Sequence, residues 1–588
     1  MWMRFDFTDS ADPVVFEHPD QVLVAHSLDE VLPCLGRVKS AVQQGYWAAG
    51  FICYEAAPAL DPVLVTRVRG RLPLLVFGLY RAPSMAWPTT GAESHFHLGP
   101  WRQRTQLGEY ERALATIQRR IRAGLSYQVN YTVRMDAEFS GDPRGLYRRL
   151  QSSQQGAFGA YAEWQDVALL SASPELFFRI DANRQITCRP MKGTAPRGRY
   201  GQEDERYRRA LETSLKDRAE NVMIVDLLRN DLGKVARVGS VAVHDLYRIE
   251  AYPSVYQMTS TVQAALNDGH GWYEAMVALF PCASVTGAPK ASTMTVIREL
   301  EASPRGIYCG TLGYVRPDGR ALFNVAIRTV TIDLSQGQAE FSAGGGITAE
   351  SQVLSEYQEV QTKSQFLKGA SPLPSESFEL LETMRLDHGH YWLLAEHLQR
   401  LSRSAQFLGW AYPAEAIISR LEAAKQVWPT GRWRVRLCLN ASGEVSLEST
   451  AWQPRPAHGQ VVAWAETSNV EGLQDTRMFH KTTDRTRYLH WHDPKSPLFD
   501  HLLWDGKGHA TEFTRGNLVV DWQGKLLTPP VSCGLLPGTF RQWLLDRGLI
   551  EPQTLTRALV EQADQLWFIN SVEGWIPVSL QRAEGGAS

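Results

Sequence analysis

One break in patterning constrains this chain more than any other feature. The stretch KGASPLPSES at 368–377 concentrates Pro, Ser and Gly and carries no hydrophobic period, whereas a helical pattern runs up to Leu367 before it. A chain of 588 residues exceeds what a single hydrophobic core supports. We therefore read 368–377 as a linker between two parts, 1–367 and 378–588. No internal repeat relates them, so they read as a fusion of unrelated units. Both parts mix strand-like runs (167–180, 434–447) with helical ones (110–123, 216–232). The fold class expected is α/β in the broad sense that includes α+β.

Composition excludes several function classes. The net charge of −2 offers no field for nucleic acid or an anionic membrane, which leaves small-molecule chemistry as the default. The seven cysteines are dispersed, odd in number and free of CxxC spacing, against a disulfide framework or a thiolate zinc site. The N-terminal residues do not read as a signal peptide, and the apolar stretches are too short to span a bilayer. A cytoplasmic enzyme with no membrane or nucleic-acid partner is expected.

In the first part, Lys192 lies in Pro190-Met-Lys-Gly-Thr-Ala-Pro196. Prolines on both sides and a following glycine predict a tight, non-helical turn that could aim its amine as a nucleophile. By itself the segment also suits a basic surface loop. The helical pattern at 350–367 puts Glu356, Glu359 and Lys363 on one face, and Glu220 sits in a second helix, 216–232. If the helices meet, Glu220 and Glu359 can share a hard divalent cation such as Mg²⁺, which takes one or two protein carboxylates and fills its octahedron with water and substrate. Solvated helix faces are the alternative.

Three further segments read as an anion pocket. Gly344-Gly345-Gly346 follows a strand-like run and is expected to form a nest of backbone N–H groups suited to a carboxylate, or simply a flexible turn. Arg328 is expected on a strand among apolar neighbours, where an acidic ligand would offset its burial. Glu175, in Ser-Pro-Glu, follows a strand into a proline turn, a setting that suits a general acid with a raised pKa.

These segments, with Ala123-Gly-Leu-Ser-Tyr-Gln-Val-Asn-Tyr131, Lys216-Asp-Arg-Ala-Glu-Asn221, Thr286-Gly-Ala-Pro-Lys290 and Gly306-Ile-Tyr-Cys-Gly310, resemble the chorismate-utilising enzymes in order over 110–367. Within them the resemblance is greatest to the aminodeoxychorismate synthase component I branch. It implies a large two-sheet α/β sandwich that residues 1–105 complete around a 106–367 core. It also implies Mg²⁺ on Glu220, Glu359 and nearby Glu356, a covalent nucleophile at Lys192 and an acid at Glu175. Substrate contacts fall to Gln128, Thr286, Tyr308, Arg328, Lys363 and the amides of Gly344, Gly345 and Gly346. Related branches that add water place a lysine at the position of Gln128, and anthranilate synthases carry a small residue at that of Lys192, so amination of chorismate at C4 is expected. Val255-Tyr-Gln-Met258 occupies a stretch where relatives often have histidine, a departure that bears on the ring-binding contact. No glutaminase motif is found, so ammonia from a separate glutamine amidotransferase subunit is implied.

In the second part, His480-Lys481-Thr-Thr-Asp-Arg-Thr-Arg-Tyr488, His509-Ala-Thr-Glu512, Glu396-His-Leu-Gln-Arg400 and Pro537-Gly538-Thr539-Phe-Arg541 resemble the fold-type IV pyridoxal phosphate enzymes over 378–580. The resemblance implies a smaller two-lobed domain. Lys481 carries the cofactor and shuttles the proton, Glu512 faces the pyridine nitrogen, and Arg400, Gly538, Thr539 and Ser571 hold the phosphate, with Tyr488 beside the ring. Phe540, standing where aminotransferases have a threonine, favours a lyase that releases pyruvate and 4-aminobenzoate. A homodimer through this part is compatible with the class. An anthranilate synthase fused to an aminotransferase, and a non-catalytic chorismate-binding scaffold, remain the alternatives.

Overall fold

The computed structural model describes residues 1–8, 13–84, 95–154, 156–252, 255–364, 367, 378–455, 459–467, 476–491 and 496–581. The expected linker 368–377 lies outside them. The chain divides into two compact units, one of Met1–Arg197 with Tyr207–Pro372, the other of Gly198–Arg206 with Leu373–Ser588. Mixed α/β structure built on several sheets is what the patterning predicts. Among the described residues no helix is long and apolar enough to cross a membrane.

The first unit is built on two ten-stranded sheets. Alternation explains why they stack. Trp2–Phe7 buries every second residue, placing Met3, Phe5 and Phe7 on one face. Those side chains meet Phe51, Val76 and Tyr314 of the second sheet in one apolar cluster. Both outer faces are covered by helices: Leu28–Gln43, Leu215–Gly233 and Trp272–Leu279 pack on one sheet, Leu107–Arg122 and Lys290–Leu300 on the other. The N-terminal strands are integral to the sheets, since Trp2–Phe7 pairs with Phe158–Trp164 and Trp47–Ile52 with Thr311–Val315.

Four local expectations need correction. The run 167–180 is two strands in different sheets, Val167–Ser171 and Leu176–Ile180. The proline of Ser173-Pro174-Glu175 cannot continue a ladder, so the chain crosses between sheets there. Lys192 lies in the strand Met191–Pro196, not in a turn, and its pairing with Val255–Ala265 shifts register between Met191 and Thr194. That bulge, with Gly193 at φ +85°, turns the lysine out of the ladder. The three glycines form no nest. They are interior to the strand Gln338–Ile347 and paired with Asn130–Thr132. Arg328 follows the strand Ala321–Asn324 instead of lying on it, and takes a left-handed φ of +50°.

The second unit holds a four-stranded antiparallel sheet and an eight-stranded mixed sheet. The run 434–447 is a hairpin of Arg432–Leu439 and Val445–Ala451, and the helices Leu394–Leu408 and Ala414–Val427 cover this smaller sheet. The larger sheet packs Val462, Leu518, Val520, Phe568 and Val578 into its own core. Lys481 sits between them, its carbonyl accepting from the Leu381 N–H at 2.8 Å, while Thr482 bridges to Leu380.

Candidate active sites

The sheet crossover, the Lys192 bulge, the first turns of Leu215–Gly233 and the helix Val353–Ser364 all open onto one cavity of the first unit. Its wall carries Glu175, Lys192, Glu220, Tyr308, Arg328, Glu356, Glu359 and Lys363. Residues spread from 175 to 363 in sequence thus collapse onto a single site. Helix and bulge fit because Gly193 has no side chain: a Cβ there would stand 2.9 Å from the Asp217 Cβ.

Glu175 is 2% exposed, and burial raises its carboxyl to about 7 against the pull of the Ser284 hydroxyl and of Lys192. The Ser284 hydroxyl donates to Glu175 Oε1 at 2.6 Å. Burial also lowers Lys192 from the ordinary lysine range, although Glu220 draws it upward. An acid retaining its proton and an amine losing one thus face the same cavity, an arrangement suited to a nucleophile paired with a general acid. Arg328 is lowered to about 10 by burial, with Tyr252 and Glu175 acting in opposition. Burial holds the Tyr308 phenol well above its usual value, so it remains a neutral donor.

The carboxylates converge from two helices. Glu220 is raised by burial while Lys192 opposes, and its Oε2 accepts from Gln128 Nε2 at 2.9 Å. Glu356 Oε1 accepts from the Ser351 hydroxyl at 2.7 Å and from Lys216 Nζ at 3.3 Å. Glu359 pairs with Lys363 Nζ at 2.7 Å and is lowered chiefly by that lysine. Lys363 also donates to the Gly344 carbonyl at 2.9 Å. Among the described residues no three acidic, His or Cys side chains stand close enough to form a metal cluster by themselves. Two ammonium groups already lie against these oxygens, and that chemistry, hard oxygen donors drawn to cations, fits a divalent ion using few protein ligands.

The glycines serve by their size. A Cβ on Gly346 would lie 2.0 Å from Gln128 Nε2, and one on Gly344 2.5 Å from the Tyr131 carbonyl oxygen. Gly346 thereby lets Gln128 reach Glu220 behind the strand. The Thr286 hydroxyl does not face the cavity; it donates to the Cys282 and Ala283 carbonyls at 3.3 and 3.2 Å. Ser284, Lys216 and Gln257 were missed as site residues by sequence reasoning. The spacing of Lys216 four before Glu220 was a usable signal and Ser284 gave none, while Gln257, whose amide donates to the Thr194 hydroxyl at 2.9 Å, lies in the stretch whose departure from the family was its signal.

In the second unit Lys481 is brought by burial, reinforced by Arg400, to about 7. Arg400 makes a two-pronged contact with Glu382, at 2.8 and 2.5 Å, and its third nitrogen reaches the Pro537 carbonyl at 3.3 Å. Against its burial, Arg400 and His397 hold Glu382 at about 2. His397 Nδ1 lies 2.6 Å from Glu382 and its Nε2 3.5 Å from the Thr539 hydroxyl, beside Gly538 at the start of the helix Thr539–Asp546. A Cβ on Gly538 would meet Asn517 Oδ1 at 2.1 Å. Glu512 is raised by burial but accepts from Tyr488 Oη and from the Leu536 N–H, both at 2.9 Å. Ser571 donates to the Thr383 carbonyl at 3.4 Å. Phe540 packs on Trp392, with centroids 4.7 Å apart, so it belongs to an aromatic cluster. Glu382 was missed; its only signal was an acid between Leu381 and Thr383 in a mostly apolar strand-like run. A buried near-neutral lysine, an arginine backed by a carboxylate and a doubly supported glutamate fit pyridoxal phosphate.

Residues 6–369 match the family model described as chorismate binding enzyme, and residues 379–580 match that of amino-transferase class IV. "Aminodeoxychorismate synthase component 1" of Salmonella typhimurium is 41% identical over 263 residues, 45% of this chain and 57% of that protein. "Anthranilate synthase component 1" of Aquifex aeolicus is 36% identical over 279 residues, 47% of this chain and 56% of that protein. This chain therefore spans little more than half the length of these curated relatives. The solved anthranilate synthase component I of Streptococcus pneumoniae aligns with a TM-score of 0.51 at 22% identity, covering 62% of this chain and 89% of its own, which is a likeness of fold.

Proposed function

The chain belongs to the family of chorismate binding enzymes, fused to a class IV aminotransferase-like domain, and from that premise we propose that it makes 4-aminobenzoate from chorismate in two steps. The first unit aminates chorismate at C4. The second eliminates pyruvate from the product. The observation that carries the reading is the pairing of Lys192 with Glu175 across one cavity.

In the first step the neutral Lys192 amine attacks C2 of the ring as the C4 hydroxyl leaves, and Glu175 donates the proton that makes it water. Ammonia then bonds to C4 and the C2–N bond to Lys192 breaks, so chorismate and ammonia give 4-amino-4-deoxychorismate and water. Arg328 and Tyr308 receive one substrate carboxylate. Glu220, Glu359 and Glu356 would hold Mg²⁺, which when bound neutralises the other carboxylate. Lys363 orients Glu359, and Gln128 orients Glu220 instead of activating water. A separate glutamine amidotransferase is the proposed ammonia source.

In the second unit Lys481, Arg400, Gly538, Thr539 and Ser571 would hold pyridoxal phosphate, with Glu512 and Tyr488 at its ring. When bound, the cofactor supplies an electron sink for the substrate's C4 carbon. Lys481, near-neutral at physiological pH, takes the C4 proton. The C3–O bond breaks, the side chain departs as enolpyruvate, which takes up one proton at its methylene to become pyruvate, and the ring becomes aromatic. Glu382 holds Arg400 in place and Phe540 backs the helix carrying Thr539. Product analysis of the full chain with chorismate, ammonium, Mg²⁺ and pyridoxal phosphate tests the reading. Release of 4-aminobenzoate and pyruvate in equal amounts supports it, while anthranilate as the product overturns it.

A further inference from the structure

Lys216 has a position that the proposed chemistry does not use. It is the second residue of the helix Leu215–Gly233, where a positive charge opposes the helix dipole. Its ammonium nonetheless points along the helix to the acidic wall of the cavity, 3.3 Å from Glu356 Oε1 and 4.0 Å from Glu220 Oε1. Those two carboxylates come from separate helices and are themselves little exposed. Two like charges held together out of water repel and lose hydration, so they need a cation between them.

The three lysines of the cavity are not equivalent. Lys363 is tied to Glu359 and to the Gly344 carbonyl. Lys192 projects from a strand bulge and is lowered by burial. Lys216, which pairs with Glu220 and Glu356, keeps half its side chain in solvent, 52% against 28% for Lys363, which pairs with Glu359. Its four-carbon stem can carry the ammonium into water without moving the backbone.

We infer that Lys216 is a displaceable internal counter-ion that neutralises Glu220 and Glu356 until a divalent cation takes its place, and so sets the affinity of the first unit for that cation. The inference rests on the divalent-cation reading of Glu220, Glu356 and Glu359. Lys216 is on this account a positioning residue and not a catalytic one. Removing its charge removes a competitor and leaves the two carboxylates waiting for the metal.

The test is isothermal titration of Mg²⁺ into the full chain at fixed ionic strength, with Lys216→Met and Lys216→Gln as independent neutral variants and Lys216→Arg as the charge-retaining one. Both neutral variants should bind Mg²⁺ about tenfold more tightly, while Lys216→Arg stays near the parent. Thermal unfolding in EDTA gives a second readout: the neutral variants should gain more stability from added Mg²⁺ than the parent does. Unchanged or weakened binding in both neutral variants, with the parent binding normally, overturns the role of Lys216 alone. A parent that takes up no Mg²⁺ overturns the divalent-cation reading and this inference with it.

Discussion

At the scale of single residues, burial moves two pKa values in opposite directions in one cavity. Glu175 is useful as an acid only while protonated and Lys192 only while neutral. Burial moves each in the needed direction, the first to about 7 and the second downward. The rate of chorismate amination should therefore rise with pH as Lys192 loses its proton, then fall as pH passes about 7 and Glu175 loses its own, giving a bell-shaped kcat/KM profile. Glu175→Gln should remove the alkaline limb and cost about 10²- to 10⁴-fold in rate. In the second unit Glu382 is held at about 2, below the ordinary 4.5, so its contribution to stability is present above 4.5 and lost as pH falls toward 2. Thermal unfolding followed from pH 6 to 3 should show that loss, and Glu382→Gln should flatten it. Removing this buried carboxylate at neutral pH should cost about 3–5 kcal/mol, because Arg400 and His397 lose their partner.

At the scale of elements, what was legible in the sequence followed from periodicity, and what was not followed from sheet geometry. The helix carrying Glu356, Glu359 and Lys363 was readable because a 3.6 period fixes which side chains share a face. The crossover at Ser173-Pro174-Glu175 was hidden, since two buried strands in different sheets are as continuously apolar as one. The triglycine misled for a related reason. Glycine suits a loop nest and a tight strand approach equally, and only the partner strand decides. Gly344→Ala should cost about 1–3 kcal/mol in urea unfolding, because the Tyr131 carbonyl 2.5 Å from the new Cβ is backbone that cannot yield. Gly345→Ala should be milder, its nearest neighbour being the Glu356 carboxylate at 3.3 Å. Equal costs would contradict that view of the strand.

At the scale of the whole molecule, ordered motifs named most of the ionisable side chains that the structure brings to one cavity of the first unit, but not the residues that contact them. Ser284, Lys216 and Glu382 touch Glu175, Glu356 and Arg400 from distant segments, and such a contact leaves no local pattern. On the proposed function the two units use separate lysines for separate steps, so their defects should complement. Lys192→Ala should abolish 4-aminobenzoate formation from chorismate yet still convert supplied 4-amino-4-deoxychorismate, and mixing it with Lys481→Ala should restore product, as chromatography would detect. The most direct measurement is the product that Lys481→Ala forms from chorismate, ammonium and Mg²⁺. Accumulation of 4-amino-4-deoxychorismate without pyruvate is the result predicted. Undiminished release of 4-aminobenzoate and pyruvate would contradict the claim that the second unit consumes what the first one makes.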